Sequence, residues 1–184
     1  MRGRHQLGLV RQTFYICGVL ASLFPLLALP LLLLAVSPAV AGCTDAAAPR
    51  VDWRRCLHDG RDLQGVDLSG AVLRDASFSR ASLQGVKLAG AEAPEVRFTS
   101  ADMTGADLSG AVLRGADFTR TVLRGGSLAR ADLRQARFFR ADLRGVDFQG
   151  AELAGADLSG ALLEGALWVD GQRRCAADSV GACR

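Results

Sequence analysis

Large apolar side chains recur at every fifth position along most of the chain. From Leu63 the chain places Leu, Phe, Met or Trp at each step of five up to Trp168, with Ala93 as the one small exception. Two residues before most of these centres lies Ala or Val, and no insertion breaks the register. Trp53 and Val51 keep the same phase, so the array is predicted to begin at Val51.

A period of five suits neither an α-helix nor a flat strand. Five helical steps of about 100° would scatter the centres over every face. On a strand, an odd period would send successive centres to alternate sides. Both difficulties disappear if the chain runs briefly along a strand and then turns a corner over the next three residues. Glycine often follows a centre by two residues, which is where a type II turn needs positive φ. These glycines are Gly65, Gly70, Gly85, Gly90, Gly105, Gly110, Gly145, Gly150, Gly155 and Gly160.

Four such corners close a square coil of 20 residues, and a 20-residue period is also visible. Phe78, Phe98, Phe118 and Phe138 follow one another at that spacing, as a stacked aromatic column should. Residues 51–170 hold 120/5 = 24 pentapeptides, or about six coils. With neighbouring strands about 4.8 Å apart, the resulting rod would be roughly 29 Å long.

The repeat resembles that of the pentapeptide-repeat family, whose motif reads A(D/N)LXX. It occurs here as Ala101-Asp102-Met103, Ala106-Asp107-Leu108, Ala131-Asp132-Leu133, Ala141-Asp142-Leu143 and Ala156-Asp157-Leu158, among others. The resemblance implies an all-β protein, a right-handed quadrilateral parallel β-helix. The segment Ala91-Glu92-Ala93-Pro94-Glu95 departs from the motif. Because Pro94 lacks a backbone donor, we expect a kink or a loosened coil there.

The N-terminal 41 residues have the three-part layout of an export signal. Residues 1–12 are basic and contain no acid, residues 14–36 form an apolar run, and small residues follow. This layout predicts a secretory signal peptide over residues 1–41, cleaved after Ala41. Residues 42–50 are then a short N-terminal segment, residues 51–170 the β-helix, and residues 171–184 a C-terminal cap.

Two other interpretations of the leader stay open. Val40-Ala41-Gly42-Cys43 also resembles a bacterial lipobox, which would leave Cys43 lipidated. The apolar run of about 23 residues is long enough to span a bilayer uncleaved, although Pro25 and Pro30 disfavour that. All three interpretations place the repeats outside the cytoplasm, either periplasmic, secreted or tethered to a membrane.

Four cysteines beyond the leader predict two disulfides. Cys43 and Cys56 flank the start of the repeats, whereas Cys175 and Cys183 follow their end. A rod between the two pairs would hold them farther apart than the roughly 7 Å that a disulfide bridges between Cα atoms. We therefore expect Cys43–Cys56 and Cys175–Cys183, which together with Trp53 and Trp168 would cap the two ends.

Composition argues against nucleic-acid binding and against catalysis. The formal charge of +3 comes from three arginines of the leader, so 22 − 3 = 19 basic residues face 19 acidic ones from residue 42 onward. A DNA-binding protein needs a basic excess. Cys56 and His58 could form a nucleophile–base pair or half of a metal site, but we interpret them as cap residues in an irregular first coil, because zinc needs about four ligands. We expect no catalytic site, cofactor or metal.

Stepping by 20 residues also stacks the outward charges into columns. Two acidic columns are expected, one of Asp67, Asp107 and Asp147 and one of Asp62, Asp102 and Asp142, on a side away from the arginines. Stacked like charges repel one another unless salt or a ligand offsets them. The arginines are a candidate stripe for an acidic lipid, a polysaccharide or a protein, against the simpler interpretation of a solvated surface paired with neighbouring carboxylates. The stripe consists of Arg74, Arg80, Arg114, Arg120, Arg124, Arg134, Arg140 and Arg144.

Three functions remain in order of preference. The first is an exported scaffold that binds a protein or an anionic envelope component through the rod surface. The second is a structural element that oligomerises end to end, and the third is a DNA mimic that inhibits a topoisomerase, as some members of the resembling family do. The third would require a cytoplasmic, strongly acidic rod, which the balanced charge does not provide.

Overall fold

The computed structural model describes residues 42–184, so the predicted leader, including Cys17, lies outside the described residues. Within the described part, the chain has no helix and no strand longer than a single bridging residue. The short strands expected from the sequence are therefore isolated β-bridges. No helix in residues 42–184 is long and apolar enough to cross a membrane.

Parallel bridges join residues 20 positions apart, from Asp52 with Val72 to Asp147 with Leu167. Four bridging residues occur in each 20-residue turn, so the chain winds into a β-helix with four faces, as expected from the repeat. We number the faces by their outward bridging residues. Face 1 carries Asp52, Val72, Glu92, Val112, Asp132 and Glu152; face 2 Leu57, Ser77, Arg97, Asp117, Arg137 and Asp157; face 3 Asp62, Ser82, Asp102, Val122, Asp142 and Leu162; face 4 Asp67, Lys87, Asp107, Ser127, Asp147 and Leu167.

Each corner is a four-residue turn that begins at an inward centre. The N–H of Ala76 donates to the carbonyl of Leu73 at 3.0 Å, and this i to i+3 bond recurs along the rod. The third turn residue has positive φ, for example 64° at Gly65, as a type II turn requires. Non-glycine residues adopt the same conformation at other corners, for example Arg120 at 57°. The turn expected from the glycine spacing is confirmed, although glycine is not obligatory in it.

The core is a set of stacked columns. The rings of Phe78, Phe98, Phe118 and Phe138 are buried, and successive centroids lie 5.5, 5.2 and 4.8 Å apart in stacked orientation. The predicted aromatic column is therefore confirmed. Each large side chain buried in this way contributes roughly 1.5–3 kcal/mol. One coil alone could not bury these rings, so the stability comes from stacking.

The aspartate of the repeat has a structural role at each bridging position where it occurs. Its side chain accepts a hydrogen bond from the backbone N–H two residues later, for example Asp147 from Gln149 at 2.8 Å. This N–H is the second residue of the turn and does not take part in coil-to-coil pairing, so the carboxylate satisfies a donor that the fold leaves over. The residues that accept this bond within the coils are Asp52, Asp62, Asp67, Asp102, Asp107, Asp117, Asp132, Asp142, Asp147 and Asp157.

The expected kink at Pro94 is wrong. Glu92 bridges to Val72 on one side and Val112 on the other, and Ala93 donates to the Val112 carbonyl at 2.8 Å. Pro94 occupies the second turn position, whose N–H is the one that pairing between coils does not use. Its fixed φ also suits that position of a type II turn. Proline therefore removes nothing that holds the coils together.

Disulfides lie at both ends and join the expected cysteines. Cys43 pairs with Cys56, with their Cα atoms 5.3 Å apart, and Cys175 pairs with Cys183 at 4.8 Å. The C-terminal segment turns back on the last coil through two antiparallel bridges, Leu162 with Val180 and Leu167 with Arg174. These bridges lie on faces 3 and 4.

Candidate functional site

Cys56 and His58 do not form a reactive pair. Cys56 is held in its disulfide with Cys43, and His58 is only 1% exposed. The imidazole lies between the rings of Trp53, 4.1 Å away, and Phe78, 5.2 Å away, measured between ring centroids. His58 is thus the first member of the phenylalanine column. Within residues 42–184, no three His, Cys, Asp or Glu side chains are grouped so as to hold a metal ion.

The histidine has one polar contact. The Nδ1 atom of His58 lies 2.9 Å from Nη1 of Arg61, so Nδ1 accepts from the guanidinium. Burial, and then the Arg61 charge, lowers the pKa of His58, and the Asp59 charge opposes this only in part. The neutral imidazole is therefore favoured in the folded protein. The first coil makes the same bridges as the others, so the expectation of an irregular coil is wrong.

Half of the predicted arginine stripe is ion-paired. On face 1, Asp132 accepts two hydrogen bonds from Arg134, both at 2.8 Å, and a third from Arg114 of the preceding coil. On face 3, Asp142 is contacted in the same way, by Arg144 at 2.8 Å and by Arg124 at 2.6 Å. These two clusters of alternating charge occupy opposite faces of the rod.

The paired carboxylates are strongly acidic. The Arg144 hydrogen bonds lower the pKa of Asp142 to about 2, against an opposing effect of partial burial and with further help from Arg124. Arg134 and Arg114 lower the pKa of Asp132 for the same reason. Four of the eight stripe arginines are therefore ion-paired within the fold, two to each aspartate.

The other half of the stripe has no such partner. Among residues 42–184, no carboxylate oxygen lies within 4.0 Å of the guanidinium nitrogens of Arg74, Arg80, Arg120 or Arg140. Arg80, Arg120 and Arg140 stack along one edge of the rod, where the chain turns from face 2 to face 3. We call these three residues the arginine edge.

Sequence reasoning missed three residues beside this edge. Arg97 and Arg137 are exposed bridging residues of face 2, and Phe139 lies next to Arg140 with 37% of its surface exposed. Stepping by 20 residues places Arg97 and Arg137 in one column. Phe139 stands where that face otherwise has a hydroxyl or carboxylate side chain. Both signals were present in the sequence.

The expected separation of an arginine-rich from an aspartate-rich side is wrong for one acidic column. Asp62, Asp102 and Asp142 lie on face 3, which also carries Arg124 and Arg144. The column of Asp67, Asp107 and Asp147 lies on face 4, which carries none of the stripe arginines. Acidic and basic side chains are therefore mixed on face 3, whereas the acidic column of face 4 lies apart from the arginine edge.

The coil geometry defines a β-helical solenoid, and comparison with known families identifies its kind. A family model for pentapeptide repeats matches eight copies in this chain, over residues 62–99, 95–128 and 127–165. Together these segments run from residue 62 to residue 165 and cover more than half of the chain. The protein therefore belongs to the pentapeptide repeat family, as the A(D/N)LXX motif indicated.

Several solved pentapeptide repeat proteins are similar. One, from the thylakoid lumen of Arabidopsis thaliana, is 25% identical over 67% of this chain and 84% of its own, with a TM-score of 0.41. Rfr23 from the cyanobacterium Cyanothece 51142 is 25% identical over 57% of this chain and 85% of its own, with a TM-score of 0.38. HetL, involved in heterocyst differentiation regulation in Nostoc sp. strain PCC 7120, is 30% identical over 67% of this chain and 74% of its own, with a TM-score of 0.33. No curated protein matches the chain.

Proposed function

We propose that this protein is an exported, non-catalytic scaffold that binds an acidic protein or envelope component through its rod surface. The observation that carries the proposal is that only half of the stripe arginines are ion-paired within the fold. Asp132 is ion-paired with Arg114 and Arg134, and Asp142 with Arg124 and Arg144. In contrast, Arg80, Arg120 and Arg140 lack a carboxylate within 4.0 Å in residues 42–184. A line of unpaired cations along a rigid edge favours an anionic partner.

Export is supported by the disulfides and by the leader. Disulfides form and persist in oxidising compartments outside the cytoplasm, and this chain has one at each end. Residues 1–41 have the composition of a signal peptide, with lipidation at Cys43 or retention as an anchor as the alternatives. We further propose a right-handed rod of about six coils with both ends capped by the disulfide-linked segments.

In-cell crosslinking tests the binding edge. A photo-crosslinking residue at Arg120, on the arginine edge, should give adducts that are absent when the same residue replaces Arg130, on the edge between faces 4 and 1. Both positions are exposed arginines at the third residue of a turn, with φ of 57° and 58°, so they differ in edge alone. Equal adducts from both positions, or none from Arg120, would contradict binding through this edge.

The mass of the protein purified from envelope fractions tests export. A mass that starts at Gly42, and rises on reduction by the hydrogens of two disulfides, supports a processed and exported rod. Lipid on Cys43, or an intact leader, would instead indicate a membrane-tethered protein. An intact leader in a cytoplasmic fraction with free thiols would refute export.

A structural, oligomer-forming role is the second candidate, and the C-terminal end favours it. Leu153 and Leu158, on faces 1 and 2 of the last coil, are only partly buried, and their N–H groups donate to no backbone carbonyl within residues 42–184. Such an edge can pair with another chain. Sedimentation of the purified protein decides: a monomer whose mass is independent of concentration excludes this role.

A further inference from the structure

Four consecutive residues, Arg137-Phe138-Phe139-Arg140, depart from the repeat at each of their outward positions. Arg137 replaces the aspartate that precedes a centre, Phe139 replaces a small polar turn residue, and Arg140 replaces glycine. Only Phe138 points into the core, as a member of the phenylalanine column. Every other coil has a polar side chain at the place of Phe139 on face 2. These residues are Asp59, Ser79, Thr99, Thr119 and Ser159.

These departures give up local contacts that the repeat makes elsewhere. On the two neighbouring coils, Asp117 accepts from the N–H of Thr119 at 2.8 Å and Asp157 from that of Ser159 at 2.9 Å. Arg137, which bridges to both of these aspartates, has no acceptor to do the same for Phe139. Arg140 holds a φ of 55°, a conformation that glycine adopts more readily. Places where a sequence breaks its own local rules are where function is expected.

The outward side chains form one continuous surface. The guanidinium carbon of Arg140 lies 5.0 Å from the centroid of the Phe139 ring, in a cation–π contact. Arg120, one coil away on the arginine edge, donates its backbone N–H to the Phe139 carbonyl at 2.9 Å. Among residues 42–184, no carboxylate oxygen lies within 4.0 Å of the guanidinium nitrogens of Arg120, Arg137 or Arg140. We call Arg120, Arg137, Phe139 and Arg140 the Phe139 surface.

We propose that the Phe139 surface docks the rod onto a bilayer that carries anionic phospholipid headgroups. Arginine is attracted to a negative leaflet, and an exposed aromatic ring can enter the boundary between headgroups and acyl chains. This inference rests on the proposed function, because it assigns the anionic component bound by the arginine edge.

The surroundings favour a membrane over a protein partner. Protein interfaces usually have a centre in which several apolar side chains are buried together. Phe139 is instead a single apolar ring, because the same turn position on the adjacent coils carries Thr119 and Ser159. Phe139, Arg120 and Arg140 also follow the convex corner between faces 2 and 3. A convex line of cations with one apolar ring matches a flat anionic layer, in which the charges remain hydrated.

Vesicle binding by a variant that restores the repeat tests the proposal. In Arg137→Ser/Phe139→Ser/Arg140→Gly, each new residue is found at the same position of another coil, as Ser77, Ser159 and Gly160 are, so this variant should fold about as well as the wild type. The full chain is incubated at about 0.1 M salt with vesicles of phosphatidylcholine that contain about 30% phosphatidylglycerol, and the vesicle-bound protein is separated by flotation. The ratio of binding to these vesicles over pure phosphatidylcholine cancels the contribution of the apolar run of the leader. Comparing this ratio between variant and wild type cancels the contribution of the three leader arginines, which both proteins share. We expect this ratio to fall about 25-fold, since each lost arginine contributes roughly fivefold.

The matched control is Arg55→Gly/Arg130→Gly, which changes the net charge by the same two units at two exposed turn positions on other edges of the rod. Its ratio should stay within about threefold of wild type, because salt screens charges beyond about 10 Å. Absence of anionic-vesicle binding by the wild type overturns the inference, and so does an equal loss in the control, which would show attraction by net charge alone. If the wild type does not bind anionic vesicles but a crosslinker at Arg120 captures a protein in cells, the inference is wrong and the proposed function stands.

Discussion

The two ends of the rod are closed to different extents, although each carries a tryptophan and a disulfide. In the first coil, Trp53, His58, Leu63 and Leu68 are all buried, with at most 4% exposure. In the last coil, Leu163 is buried, whereas the other three inward side chains are only partly buried. These three are Leu153, Leu158 and Trp168. A disulfide near an end is therefore not what closes it.

The difference follows from what the flanking segments contact. At the start, residues 42–50 are tied to the first coil by the Cys43–Cys56 bond and by Arg50, whose N–H donates to the Ser69 carbonyl at 2.9 Å. At the other end, residues 171–184 bridge to faces 3 and 4 and leave faces 1 and 2 without a partner strand. The missing partner accounts for the partial exposure of Leu153 and Leu158, whereas Trp168 is partly exposed on face 4 although that face is bridged.

The largest expected effect compares the two tryptophans. Trp53→Ala should lower the free energy of unfolding by about 3–5 kcal/mol, because it empties a fully buried site. Trp168→Ala should lower it by less than half as much, because that ring is already partly exposed. Urea unfolding followed by circular dichroism measures both, and equal losses would show that the ends are closed alike.

The disulfides should differ in the same direction. Cys43→Ser/Cys56→Ser removes a bond that spans 13 residues and puts a hydroxyl into the core at Cys56, so we expect a loss of about 3 kcal/mol or more. Cys175→Ser/Cys183→Ser also puts a hydroxyl into a buried site, at Cys175, but it opens a shorter span of 8 residues and should therefore cost about 0.5 kcal/mol less. The midpoints of thermal unfolding provide the comparison. A larger loss at the C-terminal pair would contradict this account of the ends.

A third, smaller effect is specific to the N-terminal end and depends on pH. Burial lowers the pKa of His58 in the folded protein below its ordinary value of 6.5, so below that pH the unfolded chain binds more protons. Stability should therefore fall as the pH drops below about 6.5, until the lowered folded-state value is reached. His58→Phe continues the phenylalanine column and should abolish this part of the pH dependence. An unchanged slope in the variant would mean that another group is responsible.

The smallest effect should be equal at both ends. Asp67 in the first coil and Asp157 in the last each accept the N–H of a serine, Ser69 and Ser159, at 2.9 Å. Both bonds are local to one turn, so Asp67→Ala and Asp157→Ala should lower the unfolding midpoint by the same small amount. Unequal changes would show that the coverage of an end also affects its turns, which would weaken the comparison.

Much of the fold could be predicted because the repeat is local and uninterrupted. A period of five that excludes both regular elements, together with phenylalanines 20 residues apart, was enough to predict four faces and an aromatic column. The prediction failed at Pro94, since the sequence does not say which backbone donors pair between coils. The Asp147–Gln149 contact shows that the second turn residue donates to a side chain instead, so a proline there is harmless.

The candidate site, too, could be predicted from the sequence only in part. The sequence by itself determined which charges share a column, because a column is only a matter of counting by 20 residues. Which arginines remain unpaired was decided by the tertiary structure. Asp132 contacts both Arg114 of the preceding coil and Arg134 of its own, whereas Arg120 and Arg140 lie at a corner between two faces. The open C-terminal faces were likewise beyond the sequence, because the path of residues 171–184 depends on which edges of the last coil they pair with.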